Sequence, residues 1–270
     1  MKELDCLFIG SSTKDILMLV EAPPASDQRI AARQLEITCG GVSAIAGAAH
    51  QSLHGVTGVI TALGDDDTSH FVEAFLARQN FAYAKLFTFP GQASSTSLVQ
   101  VEENGKRCLS CYGGCIDRLT FDMLDKEVFH HTRYVHLGVM RPQLMLDICR
   151  YCKENTNAIV SIDSGNLSRE NTDMLLPYAD IFIPYAYDGR TMYHVSAPAV
   201  KVLDTTGAGD NFHGAILYCL GRGMSLPDAV KFSNVFASLT CESLGGHTVV
   251  PDAGRIEEVL NGGSITVDIL

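Results

Sequence analysis

The sequence predicts an α/β protein with a mainly parallel central sheet and a smaller second sheet beside it. Two patterns carry that expectation. Short apolar runs at 134–137, 158–162 and 181–183 alternate with helix-like segments at 142–153 and 168–176, and such alternation means parallel strands joined by right-handed crossovers. Elsewhere, runs at 16–20 and 34–38 flank a polar, Pro-containing connection, and runs at 96–101 and 106–111 flank Glu102-Glu103-Asn104-Gly105. Asn-Gly is a favoured hairpin turn, so these four strands without crossover helices make a small sheet of their own.

The remaining elements follow in order. Residues 4–9 are a short apolar run ending in Gly10-Ser11-Ser12, which suits a first strand of the central sheet. Open α/β sheets bind ligands beyond the carboxyl ends of their strands, so Thr13 and Asp15 stand where a substrate would lie; Asp15 as a plain turn cap weighs equally. Cys39-Gly40-Gly41 opens an Ala- and Gly-rich helix to about residue 53, and paired glycines allow close backbone approach at a helix start. Residues 56–63 read as the next strand, ending at Gly64-Asp65-Asp66, with a helix at 71–79. The acids Asp65, Asp66 and Asp67 suit a capped helix start better than a metal site. Asp163 and Asn166 follow the strand ending at Ile162, again at a carboxyl end.

At 270 residues, 46% hydrophobic and 19% charged, the chain reads as one domain over 1–270. A net charge of -11 and a pI near 5.2 argue against a nucleic-acid or anionic-membrane partner and favour a small molecule. Nine cysteines scattered through apolar runs, with no signal peptide or membrane span, suggest a reducing cytoplasm and buried free thiols. The pairs Cys108/Cys111 and Cys149/Cys152 have zinc-like spacing, but they fall in a strand and a helix rather than on turns.

The chemistry concentrates at Asp204-Thr205-Thr206-Gly207-Ala208-Gly209-Asp210, between a strand-like run at 200–203 and a helix carrying Phe212, Ala215, Ile216, Cys219 and Leu220 on one face. The first N–H groups of a helix lack internal partners and carry the positive end of its dipole, so an anion docks there. Gly207, Ala208 and Gly209 offer little side chain to obstruct a phosphate. A carboxylate in that cradle would repel an anion already present, so Asp210 suits proton acceptance better than binding and is the candidate general base. The alternative is an ordinary N-cap of Asp and Thr before a Gly-rich turn. A second helix follows over 226–242, capped by Ser225, with Ala229, Phe232, Phe236 and Leu239 on one face and Asn234 interrupting it. Gly245-Gly246 and Pro251 end it.

From Gly10 to Pro251 these motifs resemble the ribokinase-like carbohydrate kinases, the PfkB family. The resemblance implies a three-layer α/β/α fold with a small β-sheet lid, its strands at about 12–39 and 95–112, over the sugar site, and a homodimer formed through that lid. It implies a cytoplasmic, ATP- and Mg²⁺-dependent kinase, with a monovalent cation as a further cofactor, acting on a hydroxymethyl group of a sugar or sugar derivative. Residue by residue it makes Gly207, Ala208 and Gly209 the anion hole and Asp210 the base. Thr13, Asp15, Gly40 and Gly41 become sugar contacts, and Thr205, Asn234 and Gly246 nucleotide contacts. Asp163 and Asn166 support the metal from behind its direct ligands. Ile45 stands where many members carry Asn. Together with Phe212-His213-Gly214 this looks closer to ketose-type kinases. A nucleoside kinase, or a catalytically weak regulatory relative, are the alternatives.

One family segment is missing. After the strand ending at Ile183-Pro184 the family continues with Asn-x-x-Glu, a helix, a strand and a hairpin, whereas here Tyr185 to Met192 lead at once to Tyr193-His194-Val195. A parallel crossover takes about 10–12 residues or more. The expectation is that residues 184 and 193 are not adjacent in the full polypeptide, the other reading being loss of one wall of the ATP site.

Overall fold

A computed structural model describes residues 3–138, 140–165, 167–183, 191–262 and 265–269. Its elements run β1 (Leu4–Ile9), β2 (Thr13–Val20), β3 (Gln34–Gly40), α1 (Val42–Ser52), β4 (Thr57–Leu63), α2 (Asp67–Arg78), β5 (Tyr83–Thr88), β6 (Thr96–Glu102) and β7 (Arg107–Tyr112). There follow α3 (Glu127–His130), β8 (Thr132–Leu137), α4 (Pro142–Asn155), β9 (Ile159–Asp163), α5 (Arg169–Leu175), β10 (Ile181–Ile183) and β11 (Tyr193–Val195). The chain closes with α6 (Ala208–Gly221), α7 (Leu226–Thr240), α8 (Ala253–Asn261) and β12 (Val267–Ile269).

The central sheet has the order β10-β9-β8-β1-β4-β5, and every neighbouring pair is parallel. Because strand side chains alternate between faces, β1 feeds two cores. Leu7 and Ile9 pack with Val128, Leu144 and Ile148 of α3 and α4, while Cys6 and Phe8 pack with Val42, Ile216 and Ala229 of α1, α6 and α7. Helices therefore cover both faces, giving the three-layer architecture. The parallel arrangement also gathers the carboxyl ends of β1 and β9 at one rim, where Ser11 follows β1 and Asp163 ends β9.

The second sheet has the order β3-β2-β6-β7, with β2 and β6 parallel and the outer pairs antiparallel. One face is dry: Leu17, Val99 and Val101 are buried with Leu244 of the loop after α7. The other leaves Leu35, Ile37 and Leu98 exposed at 56%, 42% and 39%. Their registers place Leu35 beside Met18, and Ile37 and Leu98 either side of Ile16, so they form one apolar stripe.

Several expectations need correction. Residues 200–203 form no strand: the Leu203 and Asp204 N–H groups both donate to the Cys241 carbonyl, at 2.8 and 3.2 Å, which seats the run against the end of α7. Cys108 and Cys111 are exposed on β7 rather than buried; all nine thiols are free, and Cys149 and Cys152 are buried in α4. The connection expected to lack a segment lies largely at 184–190, outside the described residues, and among the described residues β10 is the outer strand. Among them, no helix is long and apolar enough to cross a membrane.

Candidate active site

The rim of the central sheet and the inner face of the second sheet enclose a cavity of about 590 Å³. Thr13, Asp15, Gly40 and Gly41 line one end and Thr205, Gly207, Gly209, Asp210 and Gly246 the other, with Asp163 of β9 lining it beside Asp210. Of the residues singled out in the sequence, ten thus share one cavity. Asn166 lies outside the described residues.

At the first end Asp15 is buried on β2 and accepts a hydrogen bond from Thr13 Oγ1 at 3.0 Å. Burial raises its carboxyl above the ordinary value, against the opposing hydrogen bonds of Thr13 and Ser97. Gly40 makes room for it, since a Cβ there would sit 2.0 Å from Asp15 Oδ2. Gly41 has a φ of 87° and caps α1 without any side-chain hydrogen bond.

At the other end, the N-cap of α6 is Gly207, with φ 72°, rather than Asp204 or a threonine. Asp204 is a clamp instead. Its Oδ1 accepts from the N–H and hydroxyl of Thr206 at 2.9 and 2.7 Å, and its Oδ2 from the Gly245 N–H at 2.9 Å. Asn211 joins the same two loops from inside α6, donating to the carbonyls of Gly207 and Gly246. The Ala208 N–H turns back to Thr205 O, while the Gly209 and Asp210 N–H groups have no acceptor among the described residues. These amides are free to meet an anion at the positive end of a 14-residue helix.

Asp210 stands in that first turn, half-buried, with its carboxyl pushed up to about 7. Burial is the main cause, the negative charges of Asp163 and Asp15 add to it, and Arg107 opposes it. A carboxyl poised near neutrality suits a proton acceptor better than an ordinary carboxylate, whose driving force for taking a proton is weaker. One carboxylate oxygen of Asp163, one of Asp210 and a ring nitrogen of His213 lie within 4.8 Å of one another.

A second cavity, of about 400 Å³, opens on the far side of α6 and shares Gly209 and His213 with the first. It is bounded by Tyr193, Val195, Phe212 and Val230, with Ala208 and Asn234 in its wall. Asn234 Nδ2 donates to Val195 O at 2.9 Å, so this side chain ties α7 to β11 as well as lining the slot. Thr205 and Gly246, expected beside the nucleotide, line the first cavity, Gly246 lying against the Gly207 turn.

Sequence reasoning missed Ser97, Arg107 and Cys111, which reach the cavity from β6 and β7, and it gave His213 no role. The signal for the β7 residues was present in the period of two: Arg107, Leu109 and Cys111 share one face of the strand and all line the cavity.

The family model "pfkB family carbohydrate kinase" matches residues 185–253. A ribokinase of Bacillus subtilis is 23% identical over 288 positions, covering 94% of this chain and 98% of that protein. A ribokinase of Lactococcus lactis is 32% identical over 74 residues, and that match spans only 25% of the relative's length and 27% of this chain. The structure of ribokinase from Giardia lamblia superposes with a TM-score of 0.82 at 16% identity, covering 97% of this chain and 100% of that one.

Proposed function

We propose, from the premise that the chain is a ribokinase-like member of the PfkB carbohydrate kinases, that it transfers the γ-phosphoryl group of ATP to a hydroxymethyl group of a sugar or sugar derivative. The observation that carries this reading is Asp210, standing in the free-amide turn of α6 and in one cavity with Asp15. Asp15, Thr13 and the backbone at Gly40 and Gly41 hold the acceptor's hydroxyls, aiming its hydroxymethyl group at Asp210. Asp210 takes the hydroxyl proton as the oxygen attacks the γ-phosphorus, and the bond to the ADP oxygen breaks. The amides of the Gly207–Asp210 turn stabilise the charge on the transferring group. ATP reaches the turn from the second cavity, its base between Asn234 and the apolar wall of Phe212 and Val230. Mg²⁺ takes hard oxygen donors from one or two carboxylates and from phosphates, and Asp163 offers such a carboxylate beside the turn. There the ion would neutralise phosphate charge.

A coupled ADP-release assay against a panel of sugars, sugar phosphates and nucleosides tests the proposal. Ketoses are the expected best acceptors, on the strength of Ile45 and Phe212-His213-Gly214. Turnover of nucleosides alone would move the acceptor class, and no turnover of any member would favour a binding protein. The same assay in Na⁺ and in K⁺ reads the monovalent-ion dependence. Nine free thiols suit a cytoplasmic setting.

The raised Asp210 carboxyl sets a pH profile. The base works only when deprotonated, so kcat/KM is expected to fall as pH drops through about 7 and to level off above it. A profile flat from pH 5.5 to 8 would contradict the role.

The second sheet is the proposed lid and dimer contact. Its apolar stripe of Leu35, Ile37 and Leu98 needs a cover, and a second copy of the same stripe supplies one. Sedimentation at micromolar concentration is expected to show a dimer, and Leu98→Glu a monomer. A wild-type monomer under those conditions would remove the lid from this role.

A further inference from the structure

Three side chains beside the phosphate turn make a ligand set that phosphoryl transfer does not use as such. The Asp163 and Asp210 carboxylates and a His213 ring nitrogen lie mutually within 4.8 Å. They come from two rigid elements: Asp163 from the end of β9, and Asp210 and His213 from one face of α6, three residues apart. An acidic pair alone would be unremarkable. His213, however, is 5% exposed and makes no hydrogen bond among the described residues, and its Nδ1 is buried without a partner, as is the Nε2 of His136, whose ring centre lies 5.0 Å away, a condition a buried polar atom rarely keeps without a ligand or an ordered water.

We propose that Asp163, Asp210 and His213 bind a divalent transition-metal ion of the Zn²⁺ type, and that this ion silences the protein by occupying its base. Two carboxylates and one imidazole are a three-ligand set of the kind that leaves a coordination position open on zinc. Donors of a site with bonds of about 2.0–2.2 Å lie roughly 3–3.5 Å apart, and these three, all within 4.8 Å of one another, stand close to that spacing. Imidazole suits Zn²⁺, whereas Mg²⁺ demands oxygen ligands in octahedral geometry and holds its waters. The set therefore discriminates between the two ions. Binding the metal does not depend on the kinase reading; silencing by it does, because it rests on Asp210 being the base.

The test uses the full chain free of nucleotide, carrying Cys108→Ser and Cys111→Ser so that the exposed thiols do not compete. Calorimetry with Zn²⁺ in millimolar Mg²⁺ is expected to show one ion per chain, and Co²⁺ a visible absorption band. His213→Gln and Asp163→Asn are each expected to weaken Zn²⁺ at least about tenfold, since even a partner behind a ligand costs about that much. In the ADP-release assay Zn²⁺ should compete with the acceptor, and His213→Gln should blunt the inhibition. Thermal melts check that both variants fold. Should His213→Gln fail to, Asp163→Asn at the sheet rim still decides the question. Zn²⁺ affinity unchanged by the substitutions, or full displacement by Mg²⁺, overturns the site. Binding without inhibition keeps the site and removes Asp210 from the base role.

Discussion

Asp210→Asn is expected to lower kcat by about 10²–10⁴-fold, the usual share of a positioned general base, with ADP affinity and melting temperature close to those of wild type. The substitution keeps the shape of the side chain and the free amides of the α6 turn, so phosphate binding survives. It also removes one of three neighbouring negative charges, those of Asp163, Asp210 and Asp15, so the fold is not weakened. Steady-state kinetics, calorimetry with ADP and a melt measure the three quantities. The residual activity should also lose its acid limb near pH 7. Near-wild-type turnover, or an unchanged pH profile, would show that another group accepts the proton.

The parts of the fold legible in the sequence were those whose signal is local. β1, β4, β8, β9 and β10 are apolar runs because both faces of a parallel sheet are covered, and the β6–β7 hairpin announces itself through Asn104-Gly105. β5 was not legible: as an edge strand it is largely exposed or half-buried and shows no apolar run. β11 and β12 owe their existence to pairing Tyr193 with Ile269, a contact no window of sequence contains. Residues 200–203 looked like a strand because Val200, Val202 and Leu203 are apolar, yet their backbone is recruited by Cys241.

The candidate site divides the same way. Gly207, Asp210, Gly40 and Gly41 stand out because a turn into a helix restricts which residues fit. Arg107 and His213 do not, since their place depends on the second sheet folding over the rim and on which face of α6 meets β9. Asp204 was visible but had no role beyond the alternative of an N-cap, and only the positions of Thr206 and Gly245 show it to be a clamp.

Gly207→Ala is expected to lower kcat by about 10²–10³-fold, the cost of misplacing a donor that stabilises transition-state charge, and to lower the melting temperature as well. Two independent features require glycine here. The residue holds φ 72°, a left-handed conformation that costs an L-residue about 1–2 kcal/mol. Its Cβ would lie 2.6 Å from the Cα of Gly246, a backbone atom that no side-chain rotation can move away. Relief must come from parting the two loops that Asp204 and Asn211 clamp together, and the parting swings the Gly209 and Asp210 N–H groups off their target. Loss of turnover should therefore come with weakened ATP binding, in contrast to Asp210→Asn, where binding survives. Measuring ATP affinity by calorimetry beside kcat separates the two substitutions. If Gly207→Ala retained both wild-type affinity and wild-type turnover, the turn before α6 would not be the phosphate cradle.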